Sequence, residues 1–213
     1  VGTRAAVENG DADATDEYTG TAWITYLGHG EPITDPHEQW EAVRKEDAKN
    51  GLTWLPPSAL DNTYALAMNQ GNHKKYGTND LSEVAELSKS DPAAVTLCVE
   101  VEFANRADGL PGMQKAYGMD IPSTNITQMD TGIIYTQAAK GNCTYGEVYT
   151  TDGRIKSMNL VVMDDDKHFF PVYNPAISIR TQLATQYPQL KDVFAGIASK
   201  LDTQTLTTLI GTE

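Results

Sequence analysis

The chain has 213 residues, 40% of them hydrophobic and 21% charged, with a formal net charge of −13. That length and apolar content suffice for a buried core, as one large or two small domains, and exclude a disordered chain. The acidic balance argues against nucleic-acid binding, which needs a basic face, and against docking on anionic lipid through a polybasic patch.

Val1 to Gly10 predicts a helix with a glycine stop. Tyr18 follows Asp16-Glu17 at a predicted strand-to-helix turn, with Thr19-Gly20-Thr21 at the helix start. Asp35-Pro36, followed by Trp40, Val43 and Ala48 and then Asn50-Gly51, predicts a helix capped by Asp35 and ended by Gly51. Leu52–Leu55 predicts a strand closed by Pro56-Pro57, and Asn62–Met68 another. Asp80-Leu81-Ser82-Glu83 has capping-box form and opens a helix through Val84, Leu87 and Ser88. Val95–Val101 predicts a strand leading to a loop that carries Arg106. A short helix is expected over Pro111–Gly118, and a longer one over Thr131–Lys140 with Ile133, Ile134 and Ala138 on its apolar side. Glu147–Thr150 and Leu160–Met163 predict strands; the tail after Arg180 is helical, with Pro188 starting a new helix. No apolar run approaches the roughly 20 residues of a membrane span.

Short strands alternating with amphipathic helices are the α/β signature. They divide into two lobes: residues 1–60 with 165–213 form lobe I, and residues 61–164 form lobe II. The chain crosses between lobes twice, so the crossing segments are expected to act as a hinge.

Four tyrosines sit in distinctive phrases: Glu17-Tyr18-Thr19-Gly20-Thr21, Asn62-Thr63-Tyr64-Ala65-Leu66-Ala67, Glu147-Val148-Tyr149-Thr150-Thr151-Asp152-Gly153-Arg154 and Phe169-Phe170-Pro171-Val172-Tyr173. A fifth, Phe103-Ala104-Asn105-Arg106-Ala107-Asp108-Gly109-Leu110-Pro111-Gly112, supplies an arginine. Tyrosines with one arginine suit a small zwitterion. A quaternary ammonium has no N–H to offer an acceptor, and aromatic faces hold it at roughly 0.5–2 kcal/mol per ring. A carboxylate at the other end fits a guanidinium fork. The rival reading makes each tyrosine a packing residue and Arg106 a surface partner of Asp108.

The five ordered phrases resemble the substrate-binding proteins of osmoprotectant ABC importers, the glycine betaine, carnitine and choline group. The resemblance runs from about Gly2 to Glu213. It implies a type II periplasmic-binding-protein fold with the ligand cleft between two lobes, a monomer, and delivery of the ligand to an ABC permease. It implies ligand-binding roles for Tyr18, Thr21, Asn62, Tyr64, Arg106, Tyr149 and Tyr173: tyrosine cage walls, a backbone carbonyl near Asn62 against the cationic head, and Arg106 on the carboxylate. Choline-preferring relatives hold Asp at the position of Thr21, which tilts the expectation towards betaine-like ligands. The resemblance also implies an N-terminal strand and helix before Val1 and a helical tail after the Leu206–Leu209 region, so that the chain reads as part of a longer extracytoplasmic protein, either a membrane-anchored lipoprotein or periplasmic.

Cys98 and Cys143 stand in strand-like contexts of the same lobe. They form either two buried thiols or one disulfide, the latter expected for a protein working outside the membrane. No Cys-x-x-Cys or HExxH spacing points to a metal, and Asp164-Asp165-Asp166 reads as a solvated turn. No Gly-x-Ser-x-Gly, phosphate loop or paired catalytic carboxylates supports an enzyme, and no cofactor is implied. The alternatives to a free receptor are a sensor domain fused to a permease and, less favoured, a small-molecule enzyme.

Overall fold

The structure, a computed structural model, describes residues 2–210. The chain groups into two compact units, residues 1–62 with 171–206 and residues 63–170 with the chain from 207 onward. The lobes expected from sequence change over at 60/61 and 164/165, and keep the C-terminus wholly with the first lobe.

Unit 1 opens with helix α1 (Gly2–Asn9), closed by Gly10 at φ +84°. Strand β1 (Ala14–Tyr18) runs straight into α2 (Thr19–Thr21), which continues as a π-helical turn over Ala22–Tyr26. Helix α3 (Pro36–Asp47) begins as predicted: the Asp35 carboxylate accepts the Glu38 N–H at 2.8 Å and Pro36 occupies the first turn. Strand β2 (Leu52–Trp54) follows the left-handed Gly51.

Unit 2 contains β3 (Tyr64–Asn69), α4 (Gln70–Tyr76), α5 (Leu81–Ser90), β4 (Leu97–Val99), α6 (Val101–Asn105), α7 (Leu110–Tyr117), β5 (Ile126–Gln128), α8 (Thr131–Lys140), β6 (Tyr145–Tyr149), α9 (Arg154–Ser157) and β7 (Leu160–Val162). Unit 1 resumes with β8 (Pro175–Arg180), α10 (Thr181–Gln186), α11 (Leu190–Ala198) and the first turn of α12 (Thr203–Ile210).

Strand order in unit 1 is β1-β8-β2, all antiparallel, with Tyr18 opposite Pro175 and Trp54 opposite Ser178. Its core joins Ala22, Val43, Trp54 and Ala176, flanked by Trp23 and Trp40. Beside it lies a buried charge network. The fully buried Asp47 accepts from the Arg4 guanidinium through both carboxylate oxygens and from the Trp54 indole N–H at 2.6 Å. Central strand β8 was not predicted. It is bonded on both sides, and Pro175 heads a stretch that reads as a turn in isolation.

Unit 2 has a mixed sheet ordered β5-β4-β6-β3-β7. Strand β4 is parallel to β5 and β6, while β3 is antiparallel to β6 and β7. Helix α8 covers one face, packing Tyr135 and Ala138 on Ala65, Ala67 and Val148. It lies so close that a Cβ on Gly146 would meet Ile134 and Ala138 at 2.9 Å. Ile133, expected on the apolar side of α8, is 47% exposed; Tyr135 takes the buried position. Cys98 and Cys143 are joined as a disulfide, with Cα atoms 5.8 Å apart, against Ile134.

The predicted strand Val95–Val101 is shorter than expected. After Val99, the Glu100 side chain accepts the Glu102 N–H and turns the chain into α6, leaving Val101 55% exposed. The acidic run Asp164–Asp166 is a turn whose carboxylates serve the protein itself. Asp165 accepts from the Phe169 and Phe170 N–H groups and the Tyr117 hydroxyl, and Asp166 from Ser82.

Candidate functional site

The predicted site residues fall into two groups, one in each unit. In unit 1 the group forms where β1 ends. Tyr18 is the last strand residue, and its hydroxyl accepts the Asn62 side-chain amide at 3.3 Å. Asn62 in turn donates its backbone N–H to the Tyr173 carbonyl at 3.2 Å, and Tyr173 donates its own to Asp61 at 2.8 Å. The first turn of α2 is clamped to the same segment. Thr19 donates its N–H to Asn174 O at 3.0 Å, and the buried Gln39 amide donates to Thr19 Oγ1 at 2.8 Å and to the Val172 carbonyl. The Tyr173 ring lies against Gly20, whose lack of a side chain makes that approach possible. Tyr18, Asn62 and Tyr173 are therefore one connected constellation, with Thr21 half-buried in the adjoining turn.

In unit 2, Tyr64 and Tyr149 are cross-strand neighbours in the antiparallel β3–β6 pair. Facing residues of such a pair project from the same side of the sheet. Their ring centroids are 5.2 Å apart. Phe103 of α6 lies 5.0 Å from the Tyr64 ring and Phe170 lies 6.0 Å from it, with Phe169 edge-on to Phe170 at 5.0 Å, so five rings make one aromatic cluster. Tyr64 is the more enclosed of the tyrosine pair, at 6% exposure. Burial raises its hydroxyl well above the usual tyrosine range; burial and the nearby Glu147 charge push Tyr149 up to about 12. Both phenols are thus neutral across the physiological range, and their rings keep an uncharged π face.

Arg106 follows α6 at the rim of this cluster, its guanidinium carbon 5.9 Å from the Tyr64 centroid. It is held by two carboxylates. Asp108, buried, takes Nε at 2.8 Å and Nη2 at 2.5 Å; Glu102, exposed, takes Nη1 at 2.8 Å. The Asp108 contact is the rival partner weighed from sequence. Asp152 pairs bidentately with Arg154.

Sequence reasoning overlooked Phe103 and Phe170 as members of the cluster, though both occur in the quoted phrases. It also overlooked Glu147, which stands two residues before Tyr149 on β6 and so shares its face. A carboxylate at an inward strand position is the signal that would have found it.

Comparison with known proteins bears on the whole chain. Residues 1–212 match the family model described as the substrate binding domain of ABC-type glycine betaine transport system. A glycine-betaine-binding protein of Pseudomonas aeruginosa is 37% identical over 97% of this chain and 68% of its own length. The ergothioneine transport permease/ergothioneine binding protein EgtU of Helicobacter pylori is 32% identical over 94% of this chain, which spans only 35% of that relative. Among solved structures, that of a glycine betaine/carnitine/choline ABC transporter superposes with a TM-score of 0.73 at 30% identity, covering 98% of this chain and 75% of the other. The two-unit α/β architecture, with its tyrosine phrases in order, belongs to a chain of the substrate-binding domain family of ABC-type glycine betaine transport systems.

Proposed function

We propose that this protein is an extracytoplasmic receptor for a betaine-type quaternary ammonium solute, which it hands to an ABC permease without chemical change. The observation that carries the reading is the directly opposed pair Tyr64 and Tyr149, neutral and backed by Phe103 and Phe170. Unit 1 carries a second group of rings of the same kind, Tyr18 and Tyr173, fixed around Asn62. Each ring contributes roughly 0.5–2 kcal/mol to a desolvated cation, so a few of them supply a useful affinity without any hydrogen bond to the nitrogen.

The carboxylate end belongs to Arg106, with Thr21 and the N–H groups of the α2 turn as further candidates. The two anions on Arg106 are not equivalent. Asp108 is buried and bidentate, whereas Glu102 is exposed and single-point, so a ligand carboxylate displaces Glu102 and leaves Asp108 in place. Titration calorimetry of the intact protein with glycine betaine, carnitine, choline, ergothioneine and plain glycine tests the reading. Glycine betaine is expected to bind and glycine not; equal affinity for the two refutes a methyl-recognising cage.

A second reading, a receptor domain fused to its permease, is favoured by one observation: the Helicobacter pylori relative is named as both permease and binding protein. The ligand chemistry is the same in both.

A further inference from the structure

Glu147 is the one acidic side chain on the tyrosine-bearing face of β6, and it is 1% exposed. It is paired across the sheet with Leu66, one inward position along from the Tyr64–Tyr149 pair. Its Oε2 accepts the Glu100 N–H at 2.7 Å, while Oε1 is buried with no hydrogen-bond partner among the described residues. A buried ionised carboxylate with an unsatisfied oxygen is costly, and structures rarely keep one without a use.

We propose that Glu147 is the counter-charge of the bound cation, acting from the sheet face that carries Tyr64 and Tyr149 and giving up its proton to solvent when that cation binds. The inference rests on the receptor function proposed for this chain and deepens it.

The charged and titratable groups around Glu147 make this arrangement workable. Glu100 and Glu102, at the start of α6, are negative and oppose its ionisation in the empty protein. Tyr64 from β3 and Tyr149 from β6 are close enough to feel its charge, and are themselves neutral. Arg106, at the end of α6, is engaged by Asp108 and Glu102. Burial, together with the two neighbouring carboxylates and against the Glu100 N–H bond, raises the Glu147 carboxyl to about 7. A methylated ammonium resting on the rings adds a positive charge that favours the carboxylate. The balance is one carboxylic acid and one cation in, one carboxylate–cation pair and one proton out.

The test is calorimetric titration of glycine betaine into the intact protein in two buffers of different ionisation heat, from about pH 6 to about pH 8.5. Towards the acid end, binding is expected to release close to one proton per ligand, and affinity to rise by up to about tenfold per pH unit before levelling above about pH 7. At the alkaline end the heat is expected to be the same in both buffers. Glu147→Gln is expected to bind more weakly at high pH, with a flat profile and no proton release. Binding with buffer-independent heat throughout overturns the inference and leaves the receptor intact; so does proton release that persists in Glu147→Gln. Absence of binding by every quaternary ammonium ligand overturns both. The buffer comparison needs only the native chain, so it decides the matter even if the variant misfolds.

Discussion

Gly20 and Tyr173 are in close contact: a Cβ built on Gly20 would lie 2.9 Å from Tyr173 Cδ1 and 2.8 Å from the Val172 carbonyl oxygen. One obstacle is backbone, clamped by Gln39 and Thr19, so it cannot swing aside. Gly20→Ala should therefore push the Tyr173 segment off α2, at a cost of roughly 1–3 kcal/mol in stability. It should also weaken glycine betaine binding. Gly30→Ala is the control, since a Cβ there meets nothing within 4 Å. Equal denaturation midpoints and equal affinities for the two variants would contradict this.

Tyr64 and Tyr149 face each other across the β3–β6 pair with ring centroids 5.2 Å apart, and each carries a hydroxyl as well as a ring face. Removing the hydroxyl and removing the ring should then have different effects. Tyr149→Phe is expected to cost little affinity, because the cation is held by the ring. Tyr149→Ala should weaken choline and glycine betaine alike, by roughly 1–2 kcal/mol each. Calorimetry on the two variants decides it; a Phe variant as weak as the Ala variant makes the hydroxyl, not the π face, the ligand contact.

The local part of this fold was legible from the sequence and the non-local part was not. Asp35 and Asp80 cap helices as read, because a cap needs only the next three residues. Gly10, Gly51 and Gly118 close elements in left-handed backbone for the same reason. Strand β8 went unseen: its burial comes from strands on either side of it, both distant in sequence. The start of α6 was read as strand because Val99 and Val101 continue a β-branched run, and only the Glu100 cap breaks it. In the candidate site, the tyrosines stand out in the sequence through their phrases. Phe103, Phe170 and Glu147 acquire meaning only once β3, β6 and α6 are assembled.

Asp47 gives the protein an acid limit of its own. Burial opposes its charge, yet hydrogen bonds from Arg4, Asn50 and Trp54 more than offset this and hold its pKa below the ordinary 3.8. A carboxylate depressed in the folded state contributes stability above its unfolded pKa and loses it as pH falls through the folded one. The native protein should accordingly lose stability steeply below about pH 4. Asp47→Asn should start roughly 3 kcal/mol lower at neutral pH, since Arg4 loses its buried partner, and should show a shallower acid limb. Urea unfolding at a series of pH values checks both; parallel acid limbs would remove Asp47 from the explanation.

The Cys98–Cys143 bridge ties β4 to the chain just before β6, inside unit 2. The unreduced, denatured protein should show no titratable thiol. Reduction should lower stability by roughly 2–4 kcal/mol, the range for a loop of this order. Two thiols in the unreduced protein would refute the bridge.

Arg106, Glu102 and Asp108 form the clamp proposed for the ligand's carboxylate end, and their burial separates the roles. If the ligand carboxylate replaces Glu102 on Nη1, Glu102→Gln removes a competitor. It should tighten glycine betaine and carnitine several-fold while leaving choline, which has no carboxylate, nearly unchanged. Arg106→Ala should do the reverse to the carboxylated ligands. They lose a charge-assisted bond worth roughly 1.5–3 kcal/mol, and choline loses little. Asp108→Asn should lower the stability of the α6–α7 loop, because it removes the buried half of the clamp, and should disturb both ligand classes together. Thr21→Asp should shift preference towards choline by repelling a carboxylate and offering an acceptor to a hydroxyl. The deciding quantity is the ratio of glycine betaine to choline affinity across the four variants. If Arg106→Ala weakens both ligands by one factor, Arg106 is only the partner of Asp108, and the carboxylate is held elsewhere.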